Sequence, residues 1–314
     1  MQLIRPDTHV DFVGRRKIAM AVSGLLLLIS VGLLATKGLN FGIDFTGGTL
    51  VEVKFEQAPQ IADVRTHLTP AGYGQAIIQE FGSPEEILIR VQTESSANSA
   101  AISTAILDAL NNGFGAESVE MRRVEFVGPQ VGEELTRAGI MAVFVAMLAI
   151  LVYVTVRFEL RFALGADAAL LHDITLVLGL FALTGKEFTL PVVAALLTVI
   201  GYSLNDTIVV FDRIRENFAA NRKKKHPDNE TLVVNASINQ TLGRTLMTSL
   251  TTLLVVSALF FLGGEVIHDF AFALIAGIII GTYSSIFVAS PVMMALQGKF
   301  KTDEEEAKRL EARP

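Results

Sequence analysis

The stretch Gly201–Glu216, GYSLNDTIVVFDRIRE, decides the fold because it closes a long apolar run that holds a single charged residue. Between residues 188 and 211 that residue is Asp206, and a run of this length is sufficient for a membrane-spanning helix. A carboxylate at the centre of such a helix costs about 2.5–3.5 kcal/mol on insertion scales. It normally faces a partner, a bundle interior or a water-filled path. Asp206, flanked by Asn205 and Thr207, is therefore a candidate functional residue, and a structural hydrogen bond between helices is the alternative.

The composition is that of a membrane protein. The chain has 314 residues, of which 51% are hydrophobic and 18% charged, and its mean hydropathy is +0.49. The net charge of −6 offers no basic face, so we expect no nucleic-acid partner. The absence of cysteine excludes disulfides and thiol catalysis. Five scattered histidines make no metal-ligand spacing, and no common catalytic motif is present, so we expect no metal, no cofactor and no enzymatic activity.

Six apolar runs predict six membrane-spanning helices. The predicted spans are 18–37, 138–156, 162–184, 188–212, 242–263 and 269–297. The first run could also be a signal peptide. It is longer than the apolar region of a signal peptide and lacks a good cleavage site, so we interpret it as an uncleaved anchor.

Lysine and arginine collect on one side of this six-span order. They occur at 15–17, 157–161, 213–225 and 299–301. The positive-inside rule then places the tails 1–17 and 298–314 and the loop 213–241 in the cytoplasm. Residues 38–137, between the first two spans, are predicted to lie outside.

Residues 38–137 have the pattern of a small α/β domain. Val51, Val53 and Phe55 alternate with charged residues, as in a half-buried strand. Helical spacing over 59–68 and 98–110, and further strands at 75–81, 87–91 and 118–127, complete the order βαββαβ. This order predicts a ferredoxin-like domain.

Other polar residues within the predicted spans are also candidates. His172 and Asp173 lie near the middle of the third span, where such residues form a proton relay or a buried structural pair. Asp167 could instead extend toward Arg161 at the rim. Arg244, at the start of the fifth span, is either a topological anchor or a partner for Asp206, which lies about 10.5 Å from the rim at 1.5 Å per residue.

Three motifs carry a resemblance to a known family. Asp44-Phe45-Thr46-Gly47-Gly48 follows the first span, and its glycines alone would indicate a turn. Gly201-Tyr202-Ser203-Leu204-Asn205-Asp206-Thr207 leads to Asp212-Arg213-Ile214-Arg215-Glu216, and Asn239-Gln240-Thr241-Leu242-Gly243-Arg244-Thr245 opens the fifth span. Together, over residues 10–297, they resemble the SecF branch of the SecD/SecF family.

The resemblance implies a fold, partners and roles. The fold is a polytopic six-helix protein, half of a pseudo-symmetric bundle similar to RND transporters, with one periplasmic ferredoxin-like domain between helices one and two. The partners are SecD, the SecYEG channel, SecA, YajC, the translocating preprotein and the lipid of a bacterial inner membrane. The resemblance also implies that the proton motive force assists protein export, with Asp206 and Arg244 as proton-pathway residues.

Two other function classes remain open. One is a proton-coupled half-transporter for a small hydrophobic solute, for which the later external loops are short. The other is a passive scaffold of a translocation channel. Neutralising Asp206 separates the scaffold from a proton-driven motor, because a scaffold survives that change.

Overall fold

The structure, a computed structural model, describes residues 9–92, 96–115 and 118–296. The predicted tail 298–314 and the first eight residues lie outside this part of the chain. The elements follow in the order α1 (Arg16–Thr36), β1 (Asn40–Phe41), α2 (Ile43–Thr46), β2 (Gly48–Phe55), α3 (Ile61–Leu68), β3 (Ile77–Phe81), β4 (Ser83–Val91), α4 (Ser96–Phe114), β5 (Val119–Val127), α5 (Pro129–Arg157), α6 (Leu160–Thr184), β6 (Glu187–Phe188), α7 (Leu190–Arg222), α8 (Glu230–Leu262), α9 (Glu265–Ser284), a π-helical turn (Ser285–Ala289) and α10 (Ser290–Leu296).

The predicted six helices are confirmed: six of the described helical segments are long and apolar enough to cross a membrane. They are α1, α5, α6, α7, α8 and the continuous segment from α9 to α10. In their most apolar stretches, 61% of α6, 50% of α7 and 61% of α9–α10 is buried, against 11% of α1, 6% of α5 and 17% of α8. The first three are therefore inner helices, and the other three turn large apolar side chains outward, as helices facing lipid do.

Small residues bring the inner helices close to their neighbours. A side chain at Gly179 of α6 would collide with Ser30 of α1, and one at Gly277 of α9 would collide with Val199 of α7. Without a hydrophobic driving force between helices in lipid, such close backbone packing is a main source of association.

The helices continue beyond the predicted spans. Residues 213–241, predicted as a loop, are mostly helical, because α7 and α8 have 33 residues each and only 223–229 lie between them. At 1.5 Å per residue each helix is about 50 Å long, against about 30 Å of hydrocarbon. Likewise α5 begins at Pro129, inside the segment assigned to the α/β domain. The charged residues mark where each apolar run ends, but the helices continue through them.

The α/β domain has the predicted ferredoxin-like plan. Its strands lie in the order β3-β4-β2-β5, all antiparallel, and α3 and α4 complete βαββαβ. Two predicted details are wrong. Residues 82–84, predicted as a link, mostly belong to β4, which begins at Ser83. Helix α4 passes Gly113 and ends at Phe114, because Gly115 rather than Gly113 takes the positive φ of 119°.

The central strand β2 is buried on both faces. The alternation of apolar and charged residues along it had predicted a strand with only one buried face. Val51, Val53 and Phe55 pack against α3 and α4. On the other face Leu50 packs with Leu88 and with Ile43 of α2, the short helix that follows α1 and β1. This second, smaller core attaches the domain to the membrane part.

Candidate functional site

Asp206 is buried in the membrane part of the protein, on the inner helix α7. It is 6% exposed, and the hydroxyl of Ser285 donates a hydrogen bond to its Oδ2 at 2.9 Å. Thr207 is buried next to it, whereas Asn205 lies on the exposed face of α7. The polar cluster predicted around the acid is therefore divided between the bundle interior and its surface.

Arg244 lies near Asp206 but is not bonded to it. Arg244 and Thr245, both on α8, are close enough to act on the Asp206 carboxylate. No ion pair within 4.0 Å joins Arg244 to Asp206, and the arginine is exposed. Thr245 Oγ1 is buried with no hydrogen-bond partner in the part of the chain that the structure describes. This single chain thus brings the predicted pair to neighbouring helices without closing the contact.

His172 and Asp173 form a buried pair on α6. The His172 Nδ1 and Asp173 Oδ1 atoms are 2.9 Å apart, and the two residues are 2% and 1% exposed. The other ring nitrogen, His172 Nε2, is buried with no partner among the described residues.

Asp173 also accepts two hydrogen bonds from serines that sequence reasoning missed. Ser203, on α7, donates to Asp173 Oδ2 at 2.6 Å, and Ser284, at the end of α9, donates to the same oxygen at 2.8 Å. Ser284 precedes Ser285, the donor to Asp206. Consecutive serines in an apolar span are the signal that could have identified this link.

Asp167 does not extend toward Arg161, the alternative considered above. Arg161 instead pairs with Glu159 at 2.7 Å and lies over the rings of Phe162 and Phe218. Asp167 Oδ1 is buried with no partner among the described residues.

The Asp44-Phe45-Thr46-Gly47-Gly48 motif forms the junction between the α/β domain and the bundle. Asp44 Oδ2 accepts the backbone N–H of Leu190 at 2.8 Å, so it caps α7, whose own N-cap residue makes no side-chain hydrogen bond. Phe45 packs against Phe188 with ring centroids 5.8 Å apart. The glycine pair is required by space, since a Cβ on Gly48 would lie 2.6 Å from the Val91 carbonyl oxygen and its φ is 119°.

A buried ion pair completes this junction. Arg90, on β4, donates to the Phe41 carbonyl at 2.6 Å and to Glu187 Oε1 at 2.7 Å. β1 pairs in parallel with β6, the strand of Glu187, and the Glu187 amide donates to Asp269 at 3.0 Å. Burial raises the pKa of Glu187, and although the Arg90 guanidinium acts against that rise, Asp269 and Asp44 add to it. The domain is thereby bonded to the ends of α7 and α9.

Of the remaining predicted signature residues, Asp212 and Arg213 make ion pairs toward the opposite side of the bundle, and Gly201 makes no link. Asp212 pairs with Arg215 at 2.9 Å and with Arg157 of α5 at 3.6 Å. Arg213 makes an exposed pair with Glu216 at 3.1 Å. Gly201 has open space at its Cβ position and lies on the exposed face of α7.

Two asparagines of α8 hold the segment before α1, and one of them, Asn239, is the first residue of the third sequence motif. Asn235 Oδ1 accepts the Phe12 amide at 2.9 Å, and Asn239 exchanges two hydrogen bonds with the backbone of Val10. Their i, i+4 spacing on one helix face is the signal that could have found them.

The fold and site together define a class: an integral membrane protein in which buried acids lie within a six-helix bundle, with a ferredoxin-like domain joined to one side. Within the described residues, no three histidine, aspartate or glutamate side chains come together as a metal site requires.

Comparison with known proteins identifies the family. Residues 106–299 match the model of the protein export membrane protein SecD/SecF C-terminal domain, and residues 32–59 match the SecD/SecF GG motif. The chain is similar to the protein translocase subunit SecF of Magnetococcus marinus, with 56% identity over 298 residues, covering 94% of each chain. It is 50% identical to SecF of Vibrio alginolyticus over 295 residues, covering 94% of this chain and 92% of that one. The chain therefore belongs to the SecD/SecF family, in its SecF branch.

Two solved structures of SecDF support this family assignment. The chain is similar to SecDF of Thermus thermophilus, a translocon-associated membrane protein, with a TM-score of 0.83 and 40% identity over 94% of this chain. It is also similar to SecDF in a super-membrane-facing form, with a TM-score of 0.69 and 39% identity over 98% of this chain. It spans 40% and 41% of those two chains.

Proposed function

We propose that this chain acts with SecD to use the proton motive force in promoting protein export through the SecYEG channel, after SecA has driven the preprotein into it. The observation that carries the proposal is Asp206, a carboxylate buried in a membrane-spanning helix, where the Ser285 hydroxyl donates a hydrogen bond to it. Such residues mark proton pathways. One proton crossing 100 mV supplies about 2.3 kcal/mol, which can bias a two-state bundle.

An exposed stripe on α7 supports SecD as the second half of the bundle. Ala194, Thr198, Gly201 and Asn205 are exposed along one face, and Arg244 of α8 is exposed as well. Lipid-facing positions on α1 and α5 carry leucine, isoleucine and phenylalanine instead. Small and polar residues favour contact with another helix, and a partner there would remove Arg244 from lipid.

The proposed setting is the bacterial inner membrane, with both termini in the cytoplasm and the α/β domain in the periplasm. The distribution of lysine and arginine supports this orientation. The chain would then act as a transport subunit rather than an enzyme. Its contacts would be the translocating preprotein on the periplasmic side, and SecYEG, SecA, YajC and lipid around the bundle.

The alternatives are a half-transporter for a small hydrophobic solute and a passive scaffold. We expect a half-transporter to have a second external domain, and the links at 185–189 and 263–264 are too short to form one. The test of the second is Asp206→Asn, which keeps size and hydrogen bonding but cannot titrate. We expect it to abolish uncoupler-sensitive export into inverted vesicles while the complex with SecD still co-purifies.

The matched control for this experiment is Asp212→Asn. It makes the same chemical change on the same helix, at a partly exposed acid paired with Arg215. Export that stays uncoupler-sensitive at the unmodified level in Asp206→Asn would place the proton pathway elsewhere, with His172 and Asp173 next to be tested.

Arg244 is tested separately. Arg244→Met should lose proton-dependent export, because Asp206 loses the nearby charge that acts on it. Arg244→Lys should be partly active, because lysine keeps the charge but not the planar fork. If both variants keep proton-dependent export at the unmodified level, the charge at this position is not used.

A further inference from the structure

The two buried acids of the bundle meet at one break in the last helical segment. Asp173 on α6 and Asp206 on α7 accept hydrogen bonds from Ser284 and Ser285, which are consecutive residues. Ser285 is also the first residue of the π-helical turn between α9 and α10. π-Helical turns are rare and occur frequently at functional sites.

Each serine has a choice of two acceptors. Ser284 Oγ lies 2.8 Å from Asp173 Oδ2 and 3.2 Å from the Gly281 carbonyl. Ser285 Oγ lies 2.9 Å from Asp206 Oδ2 and 3.1 Å from the Thr282 carbonyl. A hydroxyl has one proton, so it donates to only one of them at a time.

The ionisation state of the acid decides that choice. An ionised carboxylate only accepts, so the serine hydroxyl donates to it. A protonated carboxyl group has its own O–H, which can donate to the serine oxygen, and the serine proton then turns to the backbone carbonyl three residues earlier. The hydrogen bonding of the last turn of α9 therefore differs between the two states.

The turn carries a side-chain hydrogen bond and lies in close packing with α6. Ser290 Oγ donates to the Ser285 carbonyl at 3.2 Å, bonding an oxygen at the start of the turn from its other end. Two glycines allow close packing here. A Cβ on Gly165 of α6 would lie 2.9 Å from the Ala289 carbonyl oxygen, and one on Gly281 of α9 would lie 3.0 Å from Ser203 Cβ. The carboxylates, the serines and the turn thus lie in one tightly packed layer.

We propose that Ser284 and Ser285 couple the protonation of Asp173 and Asp206 to the conformation of the π-helical turn, so that α10 shifts when the acids change charge. The inference rests on the proposed function and specifies how that site acts. Besides the two acids, the charged or titratable groups that face this layer from the described helices are Arg244 on α8, His172 and Asp167 on α6, Tyr202 on α7 and Tyr283 on α9. The serines are positioning residues, because they act through the carboxylates.

The expected movement follows from helix geometry. Converting one π-helical turn to α-helix removes one residue from the turn, which rotates α10 by about 100° and moves it about 1.5 Å along its axis. At a Cα radius of about 2.3 Å, the rotation displaces each α10 Cα by about 3.5 Å.

The test is a double-mutant cycle read by distance. Spin labels are placed on cysteines at Ala295, exposed on α10, and Val156, exposed at the end of α5, in a chain with no native cysteine. The full chain, with its partner subunit, is measured in lipid nanodiscs. We expect Asp206→Asn, which is neutral like the protonated acid, to shift the distance distribution by at least about 3 Å.

Ser285→Ala should remove that response. In the Ser285→Ala background, Asp206→Asn is expected to shift the distance by less than about 1 Å. Ser249→Ala is the control, because it deletes a buried hydroxyl of α8 that bonds the Thr282 hydroxyl of α9 at 2.6 Å and contacts no acid through a hydrogen bond, and it should leave the full shift. The pair Ser284→Ala and Asp173→Asn forms an independent second cycle.

The outcomes separate this inference from the proposed function. If Asp206→Asn does not move α10, or if the shift persists in Ser285→Ala, the coupling is refuted even when export is lost. If export stays proton-dependent in Asp206→Asn, the proposed function fails whatever the distances show.

Discussion

Replacing Arg90 should detach the α/β domain from the bundle without unfolding either part. Arg90 is the only side chain of the described β4 that bonds directly to both β1 and β6, through the Phe41 carbonyl and Glu187. Arg90→Met keeps length and apolar contact but removes the charge. It leaves the Glu187 carboxylate beside Asp269 and Asp44, with its strongest compensating charge gone.

The magnitude follows from burial. The Arg90 and Glu187 side chains are 6% and 13% exposed, and breaking such a pair by removing one partner costs about 3–5 kcal/mol. Glu187 can take up a proton to relieve the cost, so we expect the lower value near neutral pH and a larger one at higher pH. About 3 kcal/mol is about a 100-fold change in the docking equilibrium.

Amide hydrogen exchange of the full chain in nanodiscs measures this equilibrium. The Gly42 amide, bonded to the Phe188 carbonyl at 2.9 Å, reports docking, and amides of β2 report the domain core. We expect Gly42 to exchange about 100-fold faster in Arg90→Met while β2 stays protected. Arg122→Met, which removes an exposed arginine of β5, should leave both unchanged. A change below about threefold at Gly42 would refute the assignment of this ion pair as the main attachment.

Three further outcomes are expected. A cysteine at Asp108 should react with an impermeant thiol reagent in intact spheroplasts, and one at Lys223 only after lysis; the reverse would overturn the proposed orientation. Residues 38–137 expressed alone should give mixed α/β circular dichroism, and Gly48→Ala should lower the unfolding free energy of that fragment by about 1–3 kcal/mol because of its positive φ; an equally stable variant would contradict the steric argument. Burial raises the folded-state pKa of Glu187, so the contribution of Glu187 to docking is full below its unfolded-state pKa and is lost as pH rises through its folded-state pKa. Exchange protection at Gly42, corrected for intrinsic rates, should fall over this pH range. Glu187→Gln should flatten the pH dependence of that protection.

The sequence was sufficient to predict the membrane helices and the α/β order because both depend on local patterns. Apolar runs and period-two alternation are read within a few residues of each other. Helix ends were predicted less well, since the charged last turns of α7 and the first turns of α8 leave the membrane without leaving the helix. The π-helical turn at Ser285 was not predicted, and Gly165 of α6 packs closely against its last residue, Ala289.

The candidate site was predicted in part for the same reason. Asp206 and Asp173 are conspicuous because charge is expensive in an apolar run. Their hydrogen-bond donors are serines, and a serine costs little in such a run. Ser284 and Ser285 stand out only as consecutive serines, and the fold is needed to show which acids they bond. The separation of Arg244 from Asp206 was equally hidden, since helix spacing fixes depth but not which face turns inward.

Helix α7 connects the α/β domain to the buried acid Asp206. Helix α7 is capped at Leu190 by Asp44 of the domain junction, and it carries Asp206 sixteen residues further on, about 24 Å away along the axis. No helical break interrupts α7 between them. A rigid helix transmits displacement over that distance without the loss that a loop would introduce. A change of charge at Asp206 that moves α7 must therefore move the cap at Leu190, and the domain bonded to that cap must follow or separate from it. Rapid exchange at Gly42 that depends on residue 206 would indicate separation, and unchanged exchange would indicate that domain and helix move together.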